Sequence, residues 1–276
     1  ACLQLLKQKA VSRGHLFSEK DSVIRIARSN KIELEEFAEF LSIHPVNVGY
    51  TPLQQATLLL HSNEIDSVVA GIETSTANIV TNASQNIGMK APKGRLSGSF
   101  VLANPNTSQQ FIFADCAVTP EPTVDEICQT AINSVHTWKA IHGSKYEPHV
   151  AFLSFSTKGS SKHKDAQKIE QATKQFKKLY PEINSDGELQ FDSAVCAKIR
   201  NKKDPDSSLS SNANIFIFPN LAAGNITYKA LQLWGGFEAY GPLLQGLKRP
   251  FADLSRGASV EDIVITSCIN ILCARS

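Results

Sequence analysis

Short runs made almost wholly of apolar residues recur along this chain, each followed by a polar turn and a stretch with helical spacing. Ser67-Val-Val-Ala-Gly-Ile72, Val150-Ala-Phe-Leu-Ser154 and Ile215-Phe-Ile-Phe218 are three of them. A strand that is apolar on both faces has to be covered on both faces, and helices alternating with strands provide the cover. The pattern therefore predicts an α/β fold with a parallel sheet, and Ile215-Phe-Ile-Phe218 is expected near its centre. Thr51-Pro52 predicts a helix start, with proline where its missing N–H costs nothing. Glu73-Thr-Ser-Thr-Ala-Asn78 is a polar turn opening a second helix, and Thr123-Val-Asp-Glu126 is a capping box for a third, reaching Ile141. A charged helix is expected over residues 165–179, and Leu221-Ala-Ala-Gly-Asn-Ile226 opens another that ends at Trp234-Gly-Gly236. The segments Leu96-Ser-Gly-Ser-Phe-Val-Leu102 and Gln110-Phe-Ile-Phe-Ala114, joined by Ala103-Asn-Pro-Asn-Thr107, predict a hairpin and the start of a new domain. Gly187-Glu-Leu-Gln-Phe-Asp192 reads as a strand. Upstream, residues 1–9 read as helix, 15–17 as part of a short strand, 18–29 as a capped helix and 40–43 as a buried strand.

At 276 residues there is room for one large or two moderate α/β domains. Basic and acidic residues nearly cancel, 28 against 26, which argues against a nucleic-acid or membrane-surface partner. No apolar run approaches the ~18 residues that span a bilayer, and the chain does not open on a secretory signal. The six cysteines show no close spacing, as expected for free thiols of a cytoplasmic protein, and the seven histidines are scattered without ligand spacing, so no metal site is expected. Ala1 falls in the middle of a helical pattern, so sequence is expected upstream of it.

Asp253-Leu-Ser-Arg-Gly-Ala-Ser-Val-Glu-Asp262 reads as a loop that delivers a hydroxyl, Ser255, and a guanidinium, Arg256, before a helix capped by Ser259. Two readings of its polar groups compete. In one, Asp262 completes a capping box and complements the helix dipole. In the other, guanidinium, hydroxyl and helix N-terminus together bind a phosphate or phosphoryl group. Phe155-Ser-Thr-Lys-Gly-Ser-Ser161, rich in hydroxyls, is either a phosphate loop through Ser156 and Thr157 or an ordinary strand-to-helix connection. Gly224 and Asn225 follow a strand and so fall at the sheet's carboxyl edge, where ligands of open α/β sheets bind. No GxGxxG follows a strand, which weighs against a nicotinamide-dependent dehydrogenase.

From about Ser67 onward the chain resembles the phosphate acetyl/butyryltransferase family. The matching blocks are Phe113-Ala-Asp-Cys-Ala-Val118, Leu153-Ser-Phe-Ser-Thr-Lys-Gly159, Asp186-Gly-Glu-Leu-Gln-Phe-Asp192, Asn214-Ile-Phe-Ile-Phe-Pro-Asn220, Ala223-Gly-Asn-Ile226, Gly241-Pro-Leu-Leu-Gln-Gly246 and Asp253-Leu-Ser-Arg-Gly257. The resemblance implies two α/β domains flanking a cleft, an isocitrate/isopropylmalate dehydrogenase-like arrangement with the second domain inserted in the first. The first would take residues 1–92 plus 246–276, with its first strand upstream of Ala1, and the second 93–245. It implies a cytoplasmic homodimer, acting in acetate metabolism, that moves an acetyl group reversibly between acetyl phosphate and coenzyme A, with no cofactor beyond coenzyme A as substrate. It implies catalytic roles for Ser255, Arg256 and Asp262, with Asp262 as base toward the thiol. Substrate contacts are implied at Ser75, Thr76, Ser156, Thr157, Gly224, Asn225, Tyr240 and Ile269. A thiol of pKa near ~8.5 is only slightly ionised at neutral pH, so a placed base adds roughly 10²–10⁴-fold. The thiolate then attacks the carbonyl directly and phosphate leaves.

The chain departs from the family pattern in two places. Where the family carries a phosphate-binding arginine in the helix after Ile72, this chain has Thr81, followed by Asn82. The segment holding a second family arginine is shortened, His44-Pro45 lying close to Thr51-Pro52. Lys90, Lys93 and Arg95 are candidates to compensate. These departures keep an alternative open: a weakened or inactive relative that binds acyl-coenzyme A as a regulatory or assembly module.

Overall fold

The computed structural model describes residues 23–27, 51–92, 94–107 and 109–275. The readings of residues 1–9, 15–17 and 40–43, the shortened segment near His44 and the candidate Lys93 lie outside them. In chain order the elements are β1 (Val23–Ala27), α1 (Pro52–His61), β2 (Ile65–Ala70), α2 (Thr76–Asn86), β3 (Ser97–Ala103), β4 (Gln110–Ala114), α3 (Val124–His142), β5 (His149–Leu153), α4 (Lys164–Leu179), β6 (Asn184–Leu189), α5 (Phe191–Val195), α6 (Ala197–Lys203), β7 (Ile215–Ile217), α7 (Leu221–Leu233), β8 (Glu238–Gln245), β9 (Phe251–Asp253) and α8 (Val260–Ala274). They form two compact units, one from the described residues up to Gly94 together with Tyr240 onward, the other Arg95–Ala239.

In the first unit β2 lies between β1, which is antiparallel to it, and β9, which is parallel; β8 pairs antiparallel with β9. Val23-Ile-Arg-Ile-Ala27, expected inside a helix running to residue 29, is therefore a strand. The pairing with β2, from Val23 opposite Ala70 to Ile26 opposite Ser67, overrides the local helix signal. Thr51 caps α1 as expected: its hydroxyl accepts from Gln54 N, and the Gln54 side chain accepts from Thr51 N. The buried Leu53, Ala56, Leu59 and Leu60 line the inner side of that helix. Helix α8 packs over β2, where Asn270 Nδ2 donates to Val68 O at 3.0 Å.

The second unit orders its strands β3-β4-β7-β5-β6. Strands β3 and β4 form the expected hairpin, with Phe100 opposite Phe113. Strand β7 lies between β4 and β5, parallel to both, so the doubly apolar run is central, and β6 is parallel to β5. Alternate residues serve opposite faces. Phe152 meets Phe176 of α4 at 5.3 Å, whereas its neighbours Ala151 and Leu153 pack with Phe113, Phe216 and Tyr228 of α7. Two readings shift here. The strand expected over residues 187–192 is β6, ending at Leu189, and Phe191 starts α5. Glu238–Gln245, to which no element is assigned from the sequence, is a strand almost wholly buried.

Candidate active site

Ala70 and Asp253, the last residues of β2 and β9, are register partners, so the loops after these parallel strands leave side by side. Leu254 N donates to Ala70 O at 2.7 Å and holds the loops together at their origin. One loop runs through Gly71 to Ser75, which caps α2 by accepting from Asn78 N. The other carries Ser255 and Arg256 and ends at Ser259, the cap of α8. Thr76 Oγ1 donates to Asp253 Oδ2 at 2.6 Å, joining positions 177 residues apart. The structure thus brings Ser75, Thr76, Ser255 and Arg256 to one edge, together with the N-terminal ends of α2 and α8. Ser255 and Arg256 are exposed, and neither side chain has a partner among the described residues. Donors of this kind, beside the positive ends of two helices, suit an anion.

Asp253 is the element that the motif reading passed over. It is 2 % exposed, and its Oδ1 has no hydrogen-bond partner among the described residues. Burial raises its carboxyl pKa above the ordinary carboxylate range, and the bond from Thr76 and the nearby Leu254 amide offset only part of that. Nothing local to Asp253 signals this pairing, which exists only once β2 and β9 are neighbours.

Asp262 adopts the capping-box geometry. Its Oδ2 accepts from Ser259 N and from Ser259 Oγ, both at 2.8 Å, and its own N–H donates to Ser259 Oγ at 3.1 Å. Its Oδ1 carries no hydrogen-bond partner among the described residues. At the family's arginine position, Thr81 turns its hydroxyl back to Ala77 O at 2.8 Å. Of the candidate substitutes, Arg95 is paired loosely with Glu126 at 3.5 Å and Lys90 is exposed.

The remaining expected contacts are built into the folded units. Ser156 is fully buried and gives its hydroxyl proton to Glu188 Oε1 at 2.8 Å; Gly159 N donates to the same oxygen. Thr157 Oγ1 accepts from Gln190 N at 3.0 Å. Lys158 reaches Asp186 Oδ1 at 2.5 Å, where Lys177 and Ser207 also donate to the carboxylate. The loop over residues 154–161 is thus fastened from below by β6. The hydroxyls of Ser156 and Thr157 are buried and bonded to β6 and the residue after it, whereas Ser160 is exposed. Gly224 lets α7 approach the turn after β4, where a Cβ would lie 2.3 Å from Asp115 O, and Asn225 Nδ2 donates to Cys116 O at 3.1 Å. Tyr240 and Ile269, expected near the coenzyme, are 1 % and 0 % exposed.

The family model described as phosphate acetyl/butaryl transferase matches residues 42–271. The chain belongs to this family. A phosphate acetyltransferase of Bacillus subtilis is 44 % identical over 207 residues, 75 % of this chain and 62 % of that one. One from Staphylococcus aureus is 39 % identical over 246 residues, 88 % of this chain and 71 % of its own. Among solved structures, a phosphotransacetylase from Streptococcus pyogenes superposes with a TM-score of 0.75 at 41 % identity, covering 80 % of this chain and 67 % of that one. The chain therefore spans somewhat less than two thirds of the Bacillus subtilis relative's length. Among the described residues of this family member, no group of three or more His, Cys, Asp or Glu could hold a metal ion, and no helix is long and apolar enough to cross a membrane.

Proposed function

We propose that this chain is a phosphate acetyltransferase, moving an acetyl group between acetyl phosphate and coenzyme A by direct thiolate attack. The observation that carries the reading is the pair of unpartnered donors, Ser255 and Arg256, displayed on the loop after β9 beside the start of α2. In the proposed step Asp262 Oδ1 takes the thiol proton and the sulfur forms a bond to the acyl carbon. The carbon–oxygen bond to phosphate then breaks. Ser255 donates to the oxyanion as it develops, and Arg256 holds the departing phosphate. The Ser75 hydroxyl and the first backbone N–H groups of α2, that of Thr76 among them, complete the anion pocket, while the Thr76 hydroxyl is taken up by Asp253. We assign Ser156, Thr157, Gly224, Asn225, Tyr240 and Ile269 a supporting part within their own elements. A cytoplasmic homodimer that uses coenzyme A as substrate and needs no other cofactor goes with this reading, and light scattering on the purified protein checks the dimer.

The test is coenzyme A-dependent loss of acetyl phosphate, with wild type and Arg256→Ala side by side. The expected result is turnover that falls by roughly 10²–10³-fold in the variant, as for loss of a donor to developing charge. Absence of turnover in the wild type overturns the proposal.

A further inference from the structure

We propose that Asp253 is the positioning residue of this site: its buried carboxylate ties the start of α2 to the strand end from which Ser255 and Arg256 project, and so fixes where the guanidinium stands. The inference deepens the transferase reading and rests on it for its kinetic consequences. Ser255 and Arg256 make no side-chain hydrogen bond or ion pair of their own among the described residues. Their placement is inherited from the residues just before them. Leu254 is locked to β2 through Ala70 O at 2.7 Å, and Asp253 is locked to α2 through Thr76 at 2.6 Å. The other carboxylate oxygen lies against Gly71, where an added Cβ would come within 2.0 Å of it. A residue 98 % removed from solvent, held between a glycine that admits no side chain and a helix-start hydroxyl, has one place to be. The carboxylate does not touch substrate in this arrangement; it acts through Arg256.

An aspartate that serves only stability and one that positions Arg256 differ in what its loss does. Asp253→Asn keeps the shape and removes the charge that Thr76 donates to. Steady-state kinetics on the purified full chain should show kcat/KM for acetyl phosphate falling by about 30-fold, the size expected for a charge-assisted hydrogen bond, with KM for coenzyme A within about twofold of wild type. In an Arg256→Ala background the same substitution should add almost nothing, because residues acting as one unit are not additive. An equal effect on both substrates, an additive double variant, or an unchanged Asp253→Asn overturns the proposal. If Asp253→Asn does not fold, Thr76→Val tests the same bond from the other side. Thr76→Val should reproduce the split, and Thr76→Ser, which restores the hydroxyl, should rescue it; equal behaviour of the two overturns the proposal. Should the wild type show no turnover, the transferase reading falls but this one is still decided by an isotherm of inorganic phosphate. Weaker binding in Asp253→Asn supports it, and an isotherm unchanged by the substitution, or absent altogether, overturns it.

Discussion

Gly71 is where the site is least tolerant of change. Its φ of +129° lies in the region L side chains rarely adopt, and its missing Cβ makes room for the Asp253 carboxylate and the Leu254 backbone. Gly71→Ala should therefore cost several kcal/mol, about 3, in urea unfolding, since strain and overlap add. Gly257 is the control. Nothing lies within 4 Å of a Cβ built there, so Gly257→Ala should stay within about 0.5 kcal/mol of wild type. At this scale the sequence is legible where a rule is local. Ser255 and Arg256 stand out as a motif and are found exposed. The bond between Thr76 and Asp253 was invisible because no spacing rule relates residues from two strands that meet only in the folded sheet. The burial of Tyr240 and Ile269 was equally hidden, since family correspondence names a position and does not measure what covers it.

Helix α8 carries both the cap and the proposed base, and substitutions separate the two roles. Asp262→Asn leaves an acceptor for Ser259, so thermal unfolding should move little while turnover falls by roughly 10²-fold or more, the contribution of a general base. A parallel loss of stability with full activity would leave Asp262 as a cap alone. Thr123 offers a comparison, as it closes the same kind of box with Glu126 at the start of α3. Thr123→Ala should cost about 1 kcal/mol of stability without touching turnover. Caps are legible because the N-cap and the residue three later satisfy each other's backbone groups without help from the rest of the fold; Thr51, Thr123 and Ser259 all stand where the sequence puts them. Strands are less so. Strand β8 has Gly241-Pro242 at its middle, which reads as a break. Strand β1 depends on β2 for its existence, and the start of α5 follows β6 so closely that the two run together in sequence.

Taken as a whole, the molecule has a pH response set by a few buried groups. Burial lowers the His142 imidazole pKa from 6.5 to about 4, so between those values the unfolded chain binds the proton that the folded chain refuses. Stability should fall as pH is lowered through that window. At Asp186 burial alone would raise the carboxyl, but hydrogen bonds from Lys158, Lys177 and Ser207 and the Lys158 charge outweigh it and hold it well below the ordinary range. Its contribution is present above the usual carboxylate pKa and is lost as pH falls below it. Asp253, shifted upward, works in the opposite sense: the cost of its ionisation eases as pH falls. Urea unfolding at pH 7, 5 and 3 should show two successive losses, with His142→Gln removing the first and Asp186→Asn the second. The α/β class and the central place of β7 are legible at this scale because alternation and doubly apolar runs are properties of the whole chain. The ion cluster around Asp186 was not, since Lys158 comes from the loop after β5, Lys177 from α4 and Ser207 from the loop after α6.

The chain has two tryptophans, and their settings could hardly differ more. Trp138 is 5 % exposed, donates from Nε1 to Tyr146 O at 2.8 Å and has the His142 ring 4.0 Å from its own, whereas Trp234 is 90 % exposed. A protonated imidazole in contact with an indole drains its excited state, so the emission of Trp138 should dim as His142 gains its proton. Iodide in the buffer silences Trp234 and leaves Trp138 alone to be read. The molecule thus carries its own optical gauge of protonation at a single interior residue, without any dye or label.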